Sequence, residues 1–354
     1  MTRLAQITPD MDTEAVMARI AARAAEADAG RRDLAEDMAD LRDTGHLDAL
    51  SRPDAPVAAA TLLRRIGRAN LSVGRLAEGH MNALALIRLY GTAEQRERHR
   101  ASGPLLGVWG ADGDPPARIA ERDSARFVLA GGKRFASGLG IVGTAIVTVP
   151  AEGGTQLVLI DATDPARADA SGWQTSGMRA TASGSFRLDG LRGDPLGAPG
   201  DYEREPHFEG GVWRYAALHV GGLEAIAEAV RQAAIAKASE AQLHRLARLV
   251  AMTHAARLMV EAAAEASAAT GAGETAVALS LAAREQVEEA CLRGIALADR
   301  ALGTRSFATG ATVERVRRDL GFFLRQANLD GKLERTGRAI CDAPAPVGEI
   351  WGTT

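Results

Sequence analysis

The chain has 354 residues, 46% of them hydrophobic and 25% charged, with a formal net charge of −3. That length holds two or three domains, or one large one, around a sizeable core. Arg is scattered among Asp and Glu instead of forming the basic stripe of a nucleic-acid binder, and no stretch is long and apolar enough to span a membrane.

From about Met11 to Arg100 apolar residues recur at helical spacing, through "TEAVMARIAARAAEA" and "VAAATLLRRIGRANLSVGRLAEGHMNALALIRLYG". Gly91 stops that run, and Thr92 caps a short helix over "TAEQRERHR". The middle, roughly Gly103 to Pro199, changes period. "ARFVLAGGKRF" predicts two strands about a glycine turn, "AIVTVPAEGGTQLVLID" a hairpin, and "SGSFRLDG" a further alternating strand. Gly and Pro at short intervals suit a small β-barrel or sandwich.

From Gly210 onward helices return over "LHVGGLEAIAEAVRQAAIAKA", "EAQLHRLARLVAMTHAARLMVEAAAEASAA" and "TAVALSLAAREQVEEACLRGIALADRAL". The segment "VERVRRDLGFFLRQANLDG" supplies a fourth amphipathic stretch, so an antiparallel bundle is expected. In it Val313, Val316, Leu320, Phe323 and Ala327 make the apolar face, while Glu314 with Arg318 and Arg315 with Asp319 pair on the polar side. Arg325, Gln326, Asn328 and Asp330 crowd the point where the periodicity breaks. The expected architecture is α+β and multidomain: an N-terminal helical domain (1–102), a middle β domain (103–208), a C-terminal four-helix bundle (209–343) and an irregular tail (344–354).

Several chemistries find no support. There is no P-loop, no G-x-G-x-x-G opening a helix, no H-E-x-x-H and no G-x-S-x-G elbow, and the seven histidines are dispersed. Cys291 and Cys341 lack metal-ligand spacing and read as small, buried or half-buried residues of a reducing cytoplasm, since the first residues carry no apolar leader. The β region is richer. "GVWGADGDP" places Trp109 beside Gly110 and Asp112, where backbone N–H groups can approach an anion or a flat ring. "GKRFASG" sets Phe135 and Ser137 two apart on one side of a strand, an aromatic plane next to a hydroxyl. Arg179, Thr181 and Ser183 alternate between glycines as a polar rim.

In this order the segments resemble the acyl-CoA dehydrogenase family over nearly the whole chain. The carriers are "YGTAEQR", "LLGVWGADGDP" with "GKRFASGLG", "WQTSGMRATASGSFRLDG" and "VERVRRDLG". The resemblance implies an FAD lying between the β domain and the bundle in a homodimer or homotetramer, with an acyl thioester as substrate and an electron-transfer partner. It puts Phe135 beside the flavin, Ser137 on its polar edge, and Trp109, Gly110 and Asp112 in the flavin loop. Of the glycine turn before the last helix, Gly303 and Arg305 remain, and Arg305 is the expected pyrophosphate donor. The position of the usual catalytic Glu is held by Ala327, and the less common position by Gly211 or Val212. Glu209 and Asp330 are the nearest carboxylates to these two places. Three readings follow: α,β-oxidation of an acyl-CoA with a relocated base, a flavin-dependent monooxygenase that needs no such Glu, or a non-catalytic subunit paired with an intact relative.

Overall fold

The computed structural model describes residues 11–100, 103–122, 126–325 and 328–351. Six helices come first: α1 (Met11–Asp28), α2 (Ala35–Asp43), α3 (His46–Leu50), α4 (Pro56–Ala69), α5 (Leu71–Tyr90) and α6 (Ala93–Arg98). Their ends follow local chemistry. Pro56 opens α4, the Asn70 carboxamide accepts the Ser72 N–H at 2.9 Å at the start of α5, and Thr92 with Gln95 forms a reciprocal capping box on α6.

Nine strands follow: β1 (Leu106–Trp109), β2 (Arg118–Arg122), β3 (Phe127–Ala130), β4 (Gly132–Ala136), β5 (Thr144–Ala151), β6 (Gly154–Asp161), β7 (Ala168–Asp169), β8 (Gly184–Arg187) and β9 (Arg192–Leu196). They form a six-stranded mixed sheet, β1-β5-β6-β9-β3-β2, and a three-stranded sheet, β4-β8-β7. β5 and β6 make the expected hairpin. β3 and β4 are strands too, but they do not pair with each other. Gly131, at φ +82°, hands the chain from one sheet to the other, and its N–H is held by the Asp189 carboxylate at 2.8 Å.

The last helices are α7 (Trp213–Ala236), α8 (Glu240–Ala268), α9 (Glu274–Leu302), α10 (Thr312–Phe323) and α11 (Leu329–Asp342). α7 packs on α8, α9 and α10 and also tightly against α4 of the N-terminal group. That crossing is close because glycines face it: a Cβ on Gly221 would stand 2.1 Å from the Arg64 carbonyl oxygen, and one on Gly67 2.5 Å from that of Leu218. The segment after Asp342 is without helix or strand among the described residues.

Three expectations change here. The opening of "VERVRRDLGFFLRQANLDG" is helical with Val313, Val316, Leu320 and Phe323 buried, but α10 ends at Phe323 and a separate helix, α11, starts at Leu329 after Asn328 at φ +58°. Ala327 and Gln326 lie outside the described residues. Arg315 and Asp319 do pair, at 3.8 Å, yet both are buried instead of facing water. Asp319 is used by the β region, accepting the Met178 N–H at 2.7 Å. Cys291 is buried as expected, whereas Cys341 is exposed.

Candidate functional site: an aromatic shelf beside a charged cavity

β4 does not end as a regular strand. A bulge between Lys133 and Ala136 breaks its register with β8, and Phe135 adopts φ +54°, so pleat alternation does not place Phe135 and Ser137 on a common face. Instead the Phe135 ring is left 54% exposed, edge-on to Trp173 at 6.2 Å. Trp173 in turn meets Phe322 of α10 at 5.4 Å and donates its Nε1–H to the Met178 carbonyl. An aromatic shelf therefore spans the junction between the β region and α10.

Behind the shelf runs a chain of hydroxyls. Ser137 Oγ lies 2.8 Å from Ser183 Oγ, which lies 2.7 Å from Thr181 Oγ1, and Thr181 donates to the Met178 carbonyl at 2.8 Å. Because a carbonyl only accepts, the last bond sets the direction of the others: Thr181 must accept from Ser183, and Ser183 from Ser137. The Ser137 proton is thus committed inward, and its oxygen is left as an acceptor. Thr181 and Ser183 are buried, not the exposed rim read from their alternation; Arg179 alone is exposed.

Trp109 and its loop are tied to the same place. The buried Trp109 donates its Nε1–H to the Ser137 carbonyl at 3.1 Å and packs on Phe186 at 5.1 Å. The loop after it is held by the buried Lys133, whose Nζ donates to the Gly110 carbonyl (3.0 Å), Asp112 Oδ1 (2.6 Å) and Thr148 Oγ1 (3.0 Å). Burial draws the Lys133 ammonium below its ordinary pKa, and the Asp112 carboxylate opposes this. Trp109, Gly110, Asp112, Phe135 and Ser137 are thus one connected group. Arg305 is not part of it: it is exposed in the Gly303–Phe307 turn and donates to the Leu302 carbonyl at 3.2 Å.

Gly110 also borders a cavity of about 410 Å³, walled by α5, the end of β1, the stretch from Tyr202 to Val212, the start of α7, and Lys332 of α11. Glu209 lines it, but its Oε2 accepts from Arg335 at 2.7 Å and its Oε1 lies 3.5 Å from Lys332. The other lining carboxylate, Glu78, is buried and paired with Arg75 at 2.7 Å. Asp330 is exposed in the first turn of α11 and does not line the cavity. Burial raises the phenol pKa values of the lining Tyr202 and Tyr215, which keeps both neutral. The sequence reading passed over Arg75, Arg88, Arg214 and His207. The cluster "VWRY" opening α7 directly after "FEGG" was the available signal. Among the described residues no group of His, Cys, Asp and Glu is arranged to hold a metal ion, and no helix is long and apolar enough to cross a membrane.

No family model matches the chain, and no curated protein matches it. Solved structures do match over almost its full length. Methanesulfinate monooxygenase MsuC from Pseudomonas fluorescens is 19% identical with a TM-score of 0.78, covering 98% of this chain and 100% of that one. The FMN-bound TdsC from Paenibacillus sp. A11-2 is 16% identical with a TM-score of 0.79, covering 96% and 99%. The 3-HSA hydroxylase from Rhodococcus sp. RHA1 is 17% identical with a TM-score of 0.78, covering 96% and 98%. At such identities the likeness establishes the fold.

Proposed function

We propose that this chain, which has the acyl-CoA dehydrogenase fold, is a flavin-dependent oxidoreductase that oxygenates a small molecule. The observation that carries this reading is the state of the cavity beside the shelf. Both carboxylates that line it are held in ion pairs with cations, so neither is presented unpaired to a bound substrate. Proton abstraction next to a thioester carbonyl needs such a base; oxygenation does not. Two of the solved structures alike in fold bear the names monooxygenase and hydroxylase, which supports the same branch.

The residues present fit a flavin. A half-exposed Phe held in left-handed backbone, at a cost of about 1–2 kcal/mol, is hard to explain unless a flat ring covers it. Phe135 would offer that ring its face, and the Ser137 acceptor would meet an N–H on its edge. The Lys133 hub would keep the Trp109–Asp112 loop in place. A bound flavin supplies electron transfer and reaction with oxygen; the chain's own contribution is to hold it, exclude water and orient the substrate in the cavity.

The absorption spectrum of the purified protein tests this. A yellow protein, or a colourless one that turns yellow with added FMN or FAD, is expected. It should form a hydroxylated or sulfoxidised product from NADH, a flavin reductase and oxygen. Failure to take up either flavin overturns the reading, and anaerobic bleaching by acyl-CoAs would replace oxygenation with α,β-dehydrogenation. Phe135→Ala combined with Ser137→Ala should weaken flavin retention by tenfold or more, measured by equilibrium dialysis.

A further inference from the structure

The walls of the cavity carry more positive charge than their own carboxylates answer. Four cations, Arg75, Arg88, Arg214 and Lys332, face two carboxylates, Glu78 and Glu209. Arg75 is taken by Glu78, and Glu209 is shared between Lys332 and Arg335. Arg214 makes no direct salt bridge among the described residues; the nearby Glu78 carboxylate favours its charge from a distance but is itself paired with Arg75. One of its terminal nitrogens donates to the His207 carbonyl at 3.2 Å, and its guanidinium lies 5.7 Å above the Trp213 ring. Its Nε–H is sealed from solvent with no acceptor among the described residues.

The surroundings are shaped around this guanidinium. A Cβ on Gly211 would stand 2.0 Å from its Nη2, so the guanidinium in its present place occupies the space a side chain at residue 211 would take. Arg88 approaches from α5, donates to the Ser51 carbonyl at 3.1 Å, and lines the same cavity together with an adjoining one of about 450 Å³. Burial, seconded by Arg214 and Arg88, pulls the His207 imidazole below its usual pKa, which leaves it neutral near pH 7. Burial likewise disfavours the charge on Arg214. A desolvated cation with an orphan donor is unfavourable in the empty protein and becomes favourable once an anion pairs with it. A guanidinium fork matches an oxyanion of two or three oxygens better than a point charge would.

We propose that the cavity binds a small organic oxyanion, a carboxylate or sulfonate head on Arg214 seconded by Arg88. The apolar body lies against Tyr202, Tyr215 and Val108, toward the Gly110 end. This rests on reading the cavity as the substrate site of the proposed oxidoreductase, but the binding itself requires no flavin.

The test is calorimetric titration of the full-length protein, with and without added FMN, using benzoate, benzenesulfonate, hexanoate and neutral benzamide. At least one anion should bind at least tenfold tighter than benzamide, and weaken several-fold between 50 and 300 mM NaCl. Arg214→Met should lose tenfold or more for that anion, Arg214→Lys less, and Arg88→Gln several-fold, with flavin content unchanged in each. If Arg214→Met does not fold, Arg88→Gln and the salt dependence of the wild type decide. Equal binding of benzamide, unchanged affinity in the folded Arg214 variant, or no anion bound at all overturns the proposal. So does binding of butyryl-CoA without any of the free acids, because the cations would then belong to the nucleotide end of a thioester. Anion binding without flavin uptake upholds this site while removing the flavin reading; flavin uptake without anion binding does the reverse.

Discussion

Asp319 and His219 are both buried and respond to pH in opposite senses. Burial pushes the Asp319 carboxyl up to about 6, against the Met178 N–H and the Arg315 and Arg318 charges that hold it down. The folded state therefore binds a proton on Asp319 that the unfolded chain, near 3.8, has already released. The stability this proton confers is present below about pH 4 and is lost as pH rises through about 6. Burial, with Arg284 nearby and neither ring nitrogen bonded among the described residues, holds the His219 imidazole down to about 3. Its contribution runs the other way, present above about 6.5 and lost as pH falls toward 3. In wild type the two slopes oppose each other between pH 4 and 6, so a variant is needed to see either. Asp319→Asn keeps an acceptor for Met178 and removes the buried charge. Its stability relative to wild type should rise by on the order of 2 kcal/mol between pH 4 and pH 7, read from urea midpoints. A difference that is flat with pH would mean that the carboxylate is solvated in the folded protein.

At the scale of elements, α4 and α7 meet backbone to backbone. They approach through Gly67 and Gly221, which leaves no room for side chains at the crossing. Gly221→Ala should force the helices apart and cost about 1–3 kcal/mol, the usual range for overpacking. Gly337 is the control: it lies on α11, is exposed, and has nothing within 4 Å of a built Cβ. Ala there should stabilise by roughly 0.5–1 kcal/mol through helix propensity alone. Chemical denaturation of both variants separates the two effects, and similar losses at both sites would refute the crossing argument. Helix and strand types were legible from period, as the β5–β6 hairpin and the Thr92 cap show. Pairing was not. β3 and β4 look like one hairpin in the sequence, yet a single glycine at positive φ sends them to different sheets. Local pattern carries no information about which edge a strand will meet.

Across the whole molecule, Arg318 joins three parts of the chain. It bonds Asp28 of α1 at 2.7 Å, Glu314 of its own helix at 2.5 Å, and the Ser176 carbonyl of the β region at 2.7 Å. The aromatic shelf crosses the same junction through Trp173 and Phe322. Arg318→Met should therefore cost about 2 kcal/mol and also open the 171–183 stretch to protease and loosen flavin binding, although Arg318 lines no part of the cavity. Loss of stability with neither of the other two effects would show that the shelf stands without this tie. The sequence pattern marked Arg318 only as a helix-surface partner of Glu314, which is the one contact of the three that lies within four residues.

The sequence alone determined the main kinds of elements, their order and the Thr92 cap, and it singled out Phe135 and Ser137. These depend on near neighbours in the chain: periodicity, capping hydrogen bonds and glycine turns are settled within a few residues. Tertiary structure alone decided what the polar groups do. It buried the Arg315–Asp319 pair under the β region, turned the Ser137 hydroxyl inward along Ser183 and Thr181, tied up Glu209, and left the Arg214 Nε–H without an acceptor among the described residues. Each of those outcomes is set by what covers a side chain. Coverage is supplied by segments tens or hundreds of residues away, and a linear pattern does not encode it.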